Sequence, residues 1–286
     1  MPSRPLYWTD LGLSPIALQF GPIAIRWYAI SYLAMILIGW WYLRILVRQR
    51  DAPMTAEQVD DLVPAVALGV ILGGRLGYTI FYRPDLWRHP LDVLKLWEGG
   101  MSFHGGLIGL LIALALFARR HRIDLIRLCD YVACATPFGL ILVRLANFIN
   151  GELWGRPTGR PWGMVFPGAG DTLPRHPSQL YEAGLEGGVM LVVLGVLFWR
   201  SDARRRPGLL LGIGLLLYGL ARFSLEWVRQ PDRGLEHLWW GLTMGQTLSV
   251  PILAGGAYMT WRSLVAARHG SARFWRASAD FGTTRP

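Results

Sequence analysis

Eight ionisable residues interrupt stretches of sequence that are otherwise apolar: Arg26, Arg75, His104, Arg144, Glu182, Glu186, Arg222 and Glu226. A charge placed inside a bilayer costs about 2.5–3.5 kcal/mol on insertion scales, so each is a candidate for function by default. The densest grouping is Arg144-Leu145-Ala146-Asn147-Phe148-Ile149-Asn150-Gly151-Glu152-Leu153-Trp154-Gly155. On a helix Arg144 and Asn147 share a face at i, i+3, and Asn150, Gly151 and Glu152 supply groups that end it. A planar guanidinium beside amide side chains suits a phosphate. Spacing alone defines a buried anion site and goes no further.

Other residues admit two readings each. Arg222 and Glu226, at i, i+4, can simply pair along one helix. Arg75, within Gly73-Gly74-Arg75-Leu76-Gly77-Tyr78, fits an inter-helix strut as well as a ligand, because the glycines permit close packing. His104, followed by Gly105 and Gly106, fits a satisfied interfacial histidine as well as a catalyst. Cys129 and Cys134 lie in an apolar segment without a ligand pattern, and the six histidines are scattered. No disulfide framework, metal or cofactor is therefore expected.

The elements that must carry these residues are membrane spans. The 286 residues are 52% hydrophobic and 17% charged, against about a quarter charged in soluble domains. Charge-free runs of 17 residues (27–43) and 24 residues (238–261), and one of 18 (101–118) whose sole ionisable group is His104, approach or exceed the roughly 20 needed for a helix to cross a bilayer. A soluble enzyme, a disordered chain and a disulfide-stapled module are excluded. The formal charge of +10 comes from arginines clustered beside apolar runs, which points to juxtamembrane charge rather than nucleic acid. Hydropathy predicts an all-α integral membrane protein with seven spans, about 23–43, 62–82, 101–118, 131–151, 180–199, 207–226 and 238–261. The first span is expected to be retained, not cleaved as a signal peptide. Thr55-Ala56-Glu57-Gln58 is a capping box leading into the second span. Residues 152–179, rich in Gly, Pro and Trp, are expected to form a small cap between spans four and five. Residues 1–266 read as one polytopic domain and 267–286 as a polar cytoplasmic tail.

Orientation follows from Lys and Arg counts. Loops 44–61, 119–130 and 200–206 hold 11 in 37 residues, whereas the N-terminal 22 residues with loops 83–98, 152–179 and 227–237 hold 9 in 77. The excess marks the cytoplasmic side, putting the N-terminus outside and the C-terminus inside. All eight embedded ionisable residues then fall toward the outer half. A transporter site normally lies near the midplane between repeated halves, and no repeat is present. The one-sided placement suits a cation-lined chamber open to the outer leaflet.

At these residues the sequence resembles the prolipoprotein diacylglyceryl transferase family. Its signature, Gly-Arg-x-Gly/Ala-Asn-Phe-x-Asn-x-Glu-x-x-Gly, is matched by Arg144, Ala146, Asn147, Phe148, Asn150, Glu152 and Gly155, with Val143 in place of the opening Gly. Further matching blocks are Trp27-Tyr28, residues 73–78, residues 99–106, Arg175-His176-Pro177-Ser178-Gln179-Leu180-Tyr181-Glu182, Tyr218-Gly219 with Arg222, Arg229-Gln230-Pro231-Asp232 and Met244-Gly245-Gln246. The resemblance implies a bacterial inner-membrane enzyme with its site toward the periplasm. It implies phosphatidylglycerol as donor of an sn-1,2-diacylglyceryl group, and the lipobox cysteine of a preprolipoprotein as acceptor. A thioether forms and glycerol 1-phosphate is released. It further implies essential roles for Arg144 and Arg222, with His104, Tyr28, Asn147, Glu152 and Gly155 also involved. Arg75, Asn150, His176, Tyr218, Glu226 and Arg229, in or beside the matching blocks, complete the expected substrate-binding set.

The residue chemistry agrees. A thiol of pKa near 8.5 needs a base or a positive environment, and a phosphate ester leaves carbon only if its charge is stabilised. Two arginines in a low-dielectric chamber strengthen their hold as that charge builds; His104 is the candidate base. An anionic-lipid transporter or scramblase would also want buried arginines, and differs in leaving the lipid intact.

Overall fold

A computed structural model describes residues 5–88, 90–231 and 240–268. Asp232 and almost all of the expected tail lie outside the described residues. The chain divides into two compact units, residues 40–129 and residues 1–39 with 130–286.

The unit of residues 40–129 is organised by two helices, α2 (Ala56–Phe81) and α3 (Phe103–His121), with the C-terminal part of α1 (Trp27–Leu46). The capping box at the start of α2 is as expected: Gln58 N donates to Thr55 Oγ1 at 3.3 Å and Thr55 N to Gln58 Oε1 at 2.9 Å. Trp40 and Arg44 of α1 both donate to Asp60 of α2, at 2.6 and 2.7 Å. The two long helices run antiparallel with their glycines in contact. A Cβ on Gly77 would lie 2.7 Å from Gly105 Cα, and one on Gly73 would lie 2.8 Å from Gly109 Cα. Only hydrogen fits at these crossings, so backbones approach as closely as small residues allow.

The other unit contains α4 (Leu125–Ile149, from Asp130 onward), α5 (Ser178–Arg200), α6 (Leu209–Leu225) and α7 (Met244–Arg268). Within α5, residues Ala183–Val189 are wound as a π-helix. Tyr131, Leu194, Phe198 and Leu210 are fully buried, with Tyr131 edge-on to Phe198 at 5.3 Å. The buried carboxylate of Asp130 accepts from Gly208 N at 2.7 Å and Leu211 N at 2.8 Å, capping α6 from a different helix. α6 and α7 meet at glycines, where a Cβ on Gly212 would lie 2.7 Å from Thr260 N. Outward apolar side chains such as Leu37, Val192 and Leu220 are more than half exposed, as lipid-facing positions require.

Among the described residues, five helices are long and apolar enough to cross a membrane: α1 to α5. α6 is apolar but has 17 residues, and α7 has 25 and is less apolar. The chain is thus an integral, multi-pass membrane protein. Several expected boundaries move. The first span does not begin near residue 23, because Ile16–Phe20 (β2) pairs antiparallel with Ile23–Arg26 (β3), joined at Gly21 with φ +57°. The β-branched isoleucines favour the extended form, so Arg26 ends a strand and α1 starts at Trp27. α4 begins at Leu125 rather than 131, and α7 begins at Met244, behind a Thr243 cap, and runs to Arg268.

The segment between α4 and α5 is ordered. Met164–Val165 (β4) pairs in parallel with Leu6–Tyr7 (β1). Phe166 is fully buried, stacked on Trp154 at 6.0 Å. Trp8 Nε1 donates to Phe148 O at 2.8 Å, tying the N-terminal segment to the end of α4.

Candidate functional site

The signature at the end of α4 folds back on itself. Gly151 (φ 63°) and Leu153 (φ 56°) are both left-handed and flank Glu152. For leucine this conformation is strained, and it is held by Ser178 Oγ donating to Leu153 O at 3.1 Å and Gln179 Nε2 donating to Glu152 O at 2.5 Å. The reversal returns the Glu152 carboxylate to the helix it has just left. Asn147 Nδ2 donates to Glu152 Oε1 at 2.8 Å and Asn150 Nδ2 to the same oxygen at 3.4 Å; Tyr28 OH lies 3.5 Å from Asn147 Nδ2. The side-chain oxygens of both asparagines are buried without partners among the described residues.

One helical turn before Asn147, Arg144 reaches α5. Its Nη1 lies 2.7 Å from Glu182 Oε2, while Nη2 and Nε donate to Glu186 Oε2 at 3.0 and 3.2 Å. Both glutamates are fully buried. Glu182 extends the network to Arg229, whose Nε is 3.5 Å from Glu182 Oε1. Arg229 Nη1 is 4.0 Å from Glu226 Oε1, and Arg222 Nη2 is 2.6 Å from the same atom. The pairing of Arg222 with Glu226 along the end of α6 is therefore real, and it is embedded in a larger array. Thr243 Oγ1 donates to Glu226 Oε2 at 2.7 Å, and Thr243 with Gln246 forms a second capping box at the start of α7. Tyr218, one turn before Arg222, lies within electrostatic reach of Arg144, Arg222, Glu182 and Glu186. Three arginines and three glutamates thus form one network, with Arg222 Nη1 left as a buried donor without a partner among the described residues. A low-dielectric site of this kind can hold an anion by an open donor and a polyol by open amide oxygens.

The cap supplies the scaffold. Gly155 N donates to His176 O at 2.8 Å and Arg156 N to Val228 O at 2.8 Å. A Cβ on Gly155 would lie 2.5 Å from Val228 O and 2.6 Å from His176 Cβ, so the expected importance of Gly155 has a steric cause. His176 Nδ1 is 3.2 Å from Tyr181 OH, which accepts from Trp162 Nε1 at 2.6 Å. Partial burial and the charge of Arg160 lower the His176 pKa from its ordinary value. Arg175 holds Asp171 at 2.5 Å, and that hydrogen bond lowers the carboxyl's pKa.

Arg75 and His104 belong to the unit of residues 40–129. Every nitrogen of the Arg75 guanidinium meets backbone carbonyl: Nε donates to Val93 O at 2.6 Å, Nη1 to Gly99 O at 2.5 Å and Gly100 O at 3.2 Å, and Nη2 to Asp92 O at 2.8 Å. The strut reading of Arg75 describes this geometry. It organises the loop that leads, through the Ser102 cap, into α3 and His104. His104 lies in the first turn of α3, exposed, with its ring edge-on to Phe103 at 5.7 Å.

Of the expected site residues, the structure brings Tyr28, Arg144, Asn147, Asn150, Glu152, Gly155, His176, Tyr218, Arg222, Glu226 and Arg229 into one unit. The expected set omitted Glu182 and Glu186 as ligands of Arg144, although both stood out as embedded charges. It also omitted Thr243 and Gly245. A Cβ on Gly245 would lie 2.5 Å from Glu226 Cδ and 2.9 Å from Arg222 Nη2; the signal was its place in the matching block Met244-Gly245-Gln246.

Comparison with known proteins finds relatives over most of the chain. Residues 15–262 match the family model described as prolipoprotein diacylglyceryl transferase. The chain is 49% identical over 264 residues to the phosphatidylglycerol-prolipoprotein diacylglyceryl transferase of Zymomonas mobilis, covering 89% of this chain and 92% of that protein. The protein of the same name from Phenylobacterium zucineum is 49% identical over 268 residues, covering 87% and 92%. That from Rhodopseudomonas palustris is 50% identical over 259 residues, covering 87% and 90%. With the family model spanning nearly the whole chain and half of the residues shared with these relatives, the protein belongs to the prolipoprotein diacylglyceryl transferase family.

Proposed function

We propose that this protein transfers the sn-1,2-diacylglyceryl group of phosphatidylglycerol to the lipobox cysteine thiol of a preprolipoprotein, releasing glycerol 1-phosphate. The observation that carries this reading is the buried network itself. Its open donor, Arg222 Nη1, suits a phosphodiester, and its open acceptors, Asn147 Oδ1 and Asn150 Oδ1, suit the hydroxyls of a glycerol headgroup. Arg144 and Arg222 hold the phosphate; Tyr28, Tyr218, Asn147, Asn150 and Glu152 orient the headgroup. Glu226 and Arg229 set the arginines, Gly155 and His176 seat the cap, Arg75 supports the loop before α3, and His104 takes the thiol proton. No metal or cofactor enters the scheme.

The membrane domain spans residues 1–266 with a polar tail beyond. It has seven spans, the N-terminus and the 152–179 cap on the periplasmic face of the inner membrane, and loops 119–130 and 200–206 in the cytoplasm. Phosphatidylglycerol enters sideways from the outer leaflet, since exposing acyl chain to water costs about 0.8 kcal/mol per CH₂. The deciding experiment incubates purified protein with phosphatidylglycerol and a lipobox peptide. One diacylglyceryl group should appear on sulfur with equimolar glycerol phosphate, and a Cys→Ser peptide should react far more slowly. Glycerol phosphate release independent of the cysteine would make it a lipase. Lipid redistribution without release would make it a transporter. Impermeant labelling of a cysteine placed in 152–179, but not of one near Arg204, checks the orientation.

A further inference from the structure

The helices that carry the arginine–glutamate network have a second polar feature at their other end. Four arginines, Arg200, Arg204, Arg205 and Arg206, fall within seven residues that include one acid, Asp202. These residues join α5 to α6. Leu209, at the start of α6, is thirteen positions from Arg222, which the helical rise turns into about 20 Å. The transfer chemistry uses nothing at this end.

A cavity of about 520 Å³ opens there between α5, α6 and α7, a volume in the range of small-molecule sites. Leu197, Leu209, Ile213 and Leu264 give it an apolar wall, and Arg206 and Thr260 are its open polar groups. Its other polar side chains are already engaged. Ser201 Oγ donates to Leu197 O at 2.6 Å and accepts from Ala203 N at 3.1 Å, and Asp202 faces Arg205 at 3.8 Å. Arg206 is half-buried, and its guanidinium has no hydrogen bond or ion pair among the described residues. Thr260 Oγ1 is buried and also lacks a hydrogen-bond partner among them. It occupies space that Gly212 leaves free, where a Cβ would stand 2.6 Å from this oxygen. Buried polar groups are ordinarily satisfied, so a guanidinium and a hydroxyl left open in one cavity point to a ligand.

We propose that this cavity binds an anionic phospholipid of the leaflet at this end of the helices. Arg206 and the Thr260 hydroxyl take its phosphate, and the beginning of an acyl chain lies against the apolar wall. Place, lining and charge together favour a lipid over a soluble anion. α5 is long and apolar enough to span the membrane and ends at Arg200, so the cavity lies at headgroup depth. Four leucine and isoleucine side chains would offer a soluble anion nothing. The arginine excess of residues 200–206 attracts anionic headgroups, as basic clusters beside spans do. In the orientation proposed above this is the cytoplasmic leaflet, opposite the one from which the donor enters, so this lipid is not the one consumed.

The test uses the full chain in phosphatidylcholine nanodiscs containing phosphatidylglycerol with a photoreactive diazirine near the start of one acyl chain. After irradiation, mass spectrometry of proteolytic peptides should find adducts within 197–213 and 260–264, in peptides distinct from those around Arg144 and Arg222. Unlabelled phosphatidylglycerol should displace them and phosphatidylcholine should not. Arg206→Gln should weaken this labelling about tenfold or more and Thr260→Val a few-fold, as loss of a charged and of a neutral hydrogen bond implies. Arg205→Gln, outside the cavity, should leave it within about twofold. Absence of adducts in these segments would overturn the proposal, as would wild-type labelling of Arg206→Gln. Equal displacement by phosphatidylcholine would mark bulk lipid, and displacement by inorganic phosphate a soluble anion; either overturns it too. If Arg206→Gln does not fold, undiminished labelling of Thr260→Val does so instead. None of these readouts requires transfer activity, so the outcome is separate from that of the transferase reading.

Discussion

Substituting Gly245 by alanine tests whether the Arg222–Glu226 pair must sit where it does. Gly245 lies in the first turn of α7, and its φ is not left-handed, so alanine suits the backbone. The added Cβ would stand 2.5 Å from Glu226 Cδ and 2.9 Å from Arg222 Nη2. Carbon atoms prefer about 3.5 Å or more, so the carboxylate must retreat by about 1 Å. It has little room: Glu226 is 3% exposed and its other oxygen is fixed by Thr243 at 2.7 Å. The clash is with side-chain ends and not with backbone, so the chain still folds. Overpacking costs about 1–3 kcal/mol, and replacing glycine in a helix returns up to about 1 kcal/mol. The larger effect falls on chemistry, where a displacement of about 1 Å is worth roughly 10²-fold, or about 2.7 kcal/mol in the barrier. Transfer to a lipobox peptide should therefore drop about a hundredfold in kcat while the melting temperature in detergent moves little. Gly255→Ala is the control, since a Cβ there meets nothing within 4 Å on the same helix. A Gly245→Ala enzyme within twofold of wild type would refute the claim that this pair is held to sub-ångström position for catalysis.

Three further outcomes are expected. Arg144→Lys keeps the charge but a single ammonium cannot span Glu182 and Glu186 as the fork does, so transfer should fall roughly 10²–10³-fold; wild-type activity in this variant would remove the clamp. Asp130→Ala strips two backbone bonds from the start of α6, and thermal unfolding should show a loss of about 0.5–2 kcal/mol; an unchanged midpoint would show that the cap contributes nothing. The His176 ring should titrate below its ordinary value of 6.5 by NMR. Because its folded pKa is lowered, its contribution to stability is complete above about pH 6.5 and is lost as pH falls through the folded value. A titration at or above 6.5 would refute the burial argument.

Apolar runs made the helices legible, because length and composition alone decide whether a segment can cross lipid. Local signals were equally readable: Thr55 with Gln58 as a capping box, and Arg144, Asn147 and Glu152 as a cluster. The hairpin of 16–26 was absorbed into the first span, since residues 23–26 are apolar enough to extend it; the Gly21-Pro22 turn between isoleucine-rich segments was the available sign. The partners of Arg144 were not legible, because Glu182 and Glu186 lie 38 and 42 positions away on another helix, and sequence spacing says nothing about which helices meet. Arg75 shows the same limit from the other side. Its acceptors are carbonyls, which every residue carries, so no side-chain pattern marks them.

The order of charges along the chain bears on how the protein is built. Arg144 emerges from the ribosome in α4, before either glutamate that neutralises it. A lone arginine in lipid costs about 2.5–3.5 kcal/mol on insertion scales, so α4 is a poor solitary passenger through the translocon. Glu182 and Glu186 arrive with α5 and relieve that cost, and Arg229, translated after α6, supplies the second cation for Glu182. α4 and α5 are thus suited to leave the translocon together as a hairpin. The ion pairs that poise the site also set a sequence of assembly, in which each helix is made acceptable to the membrane by the one synthesised after it.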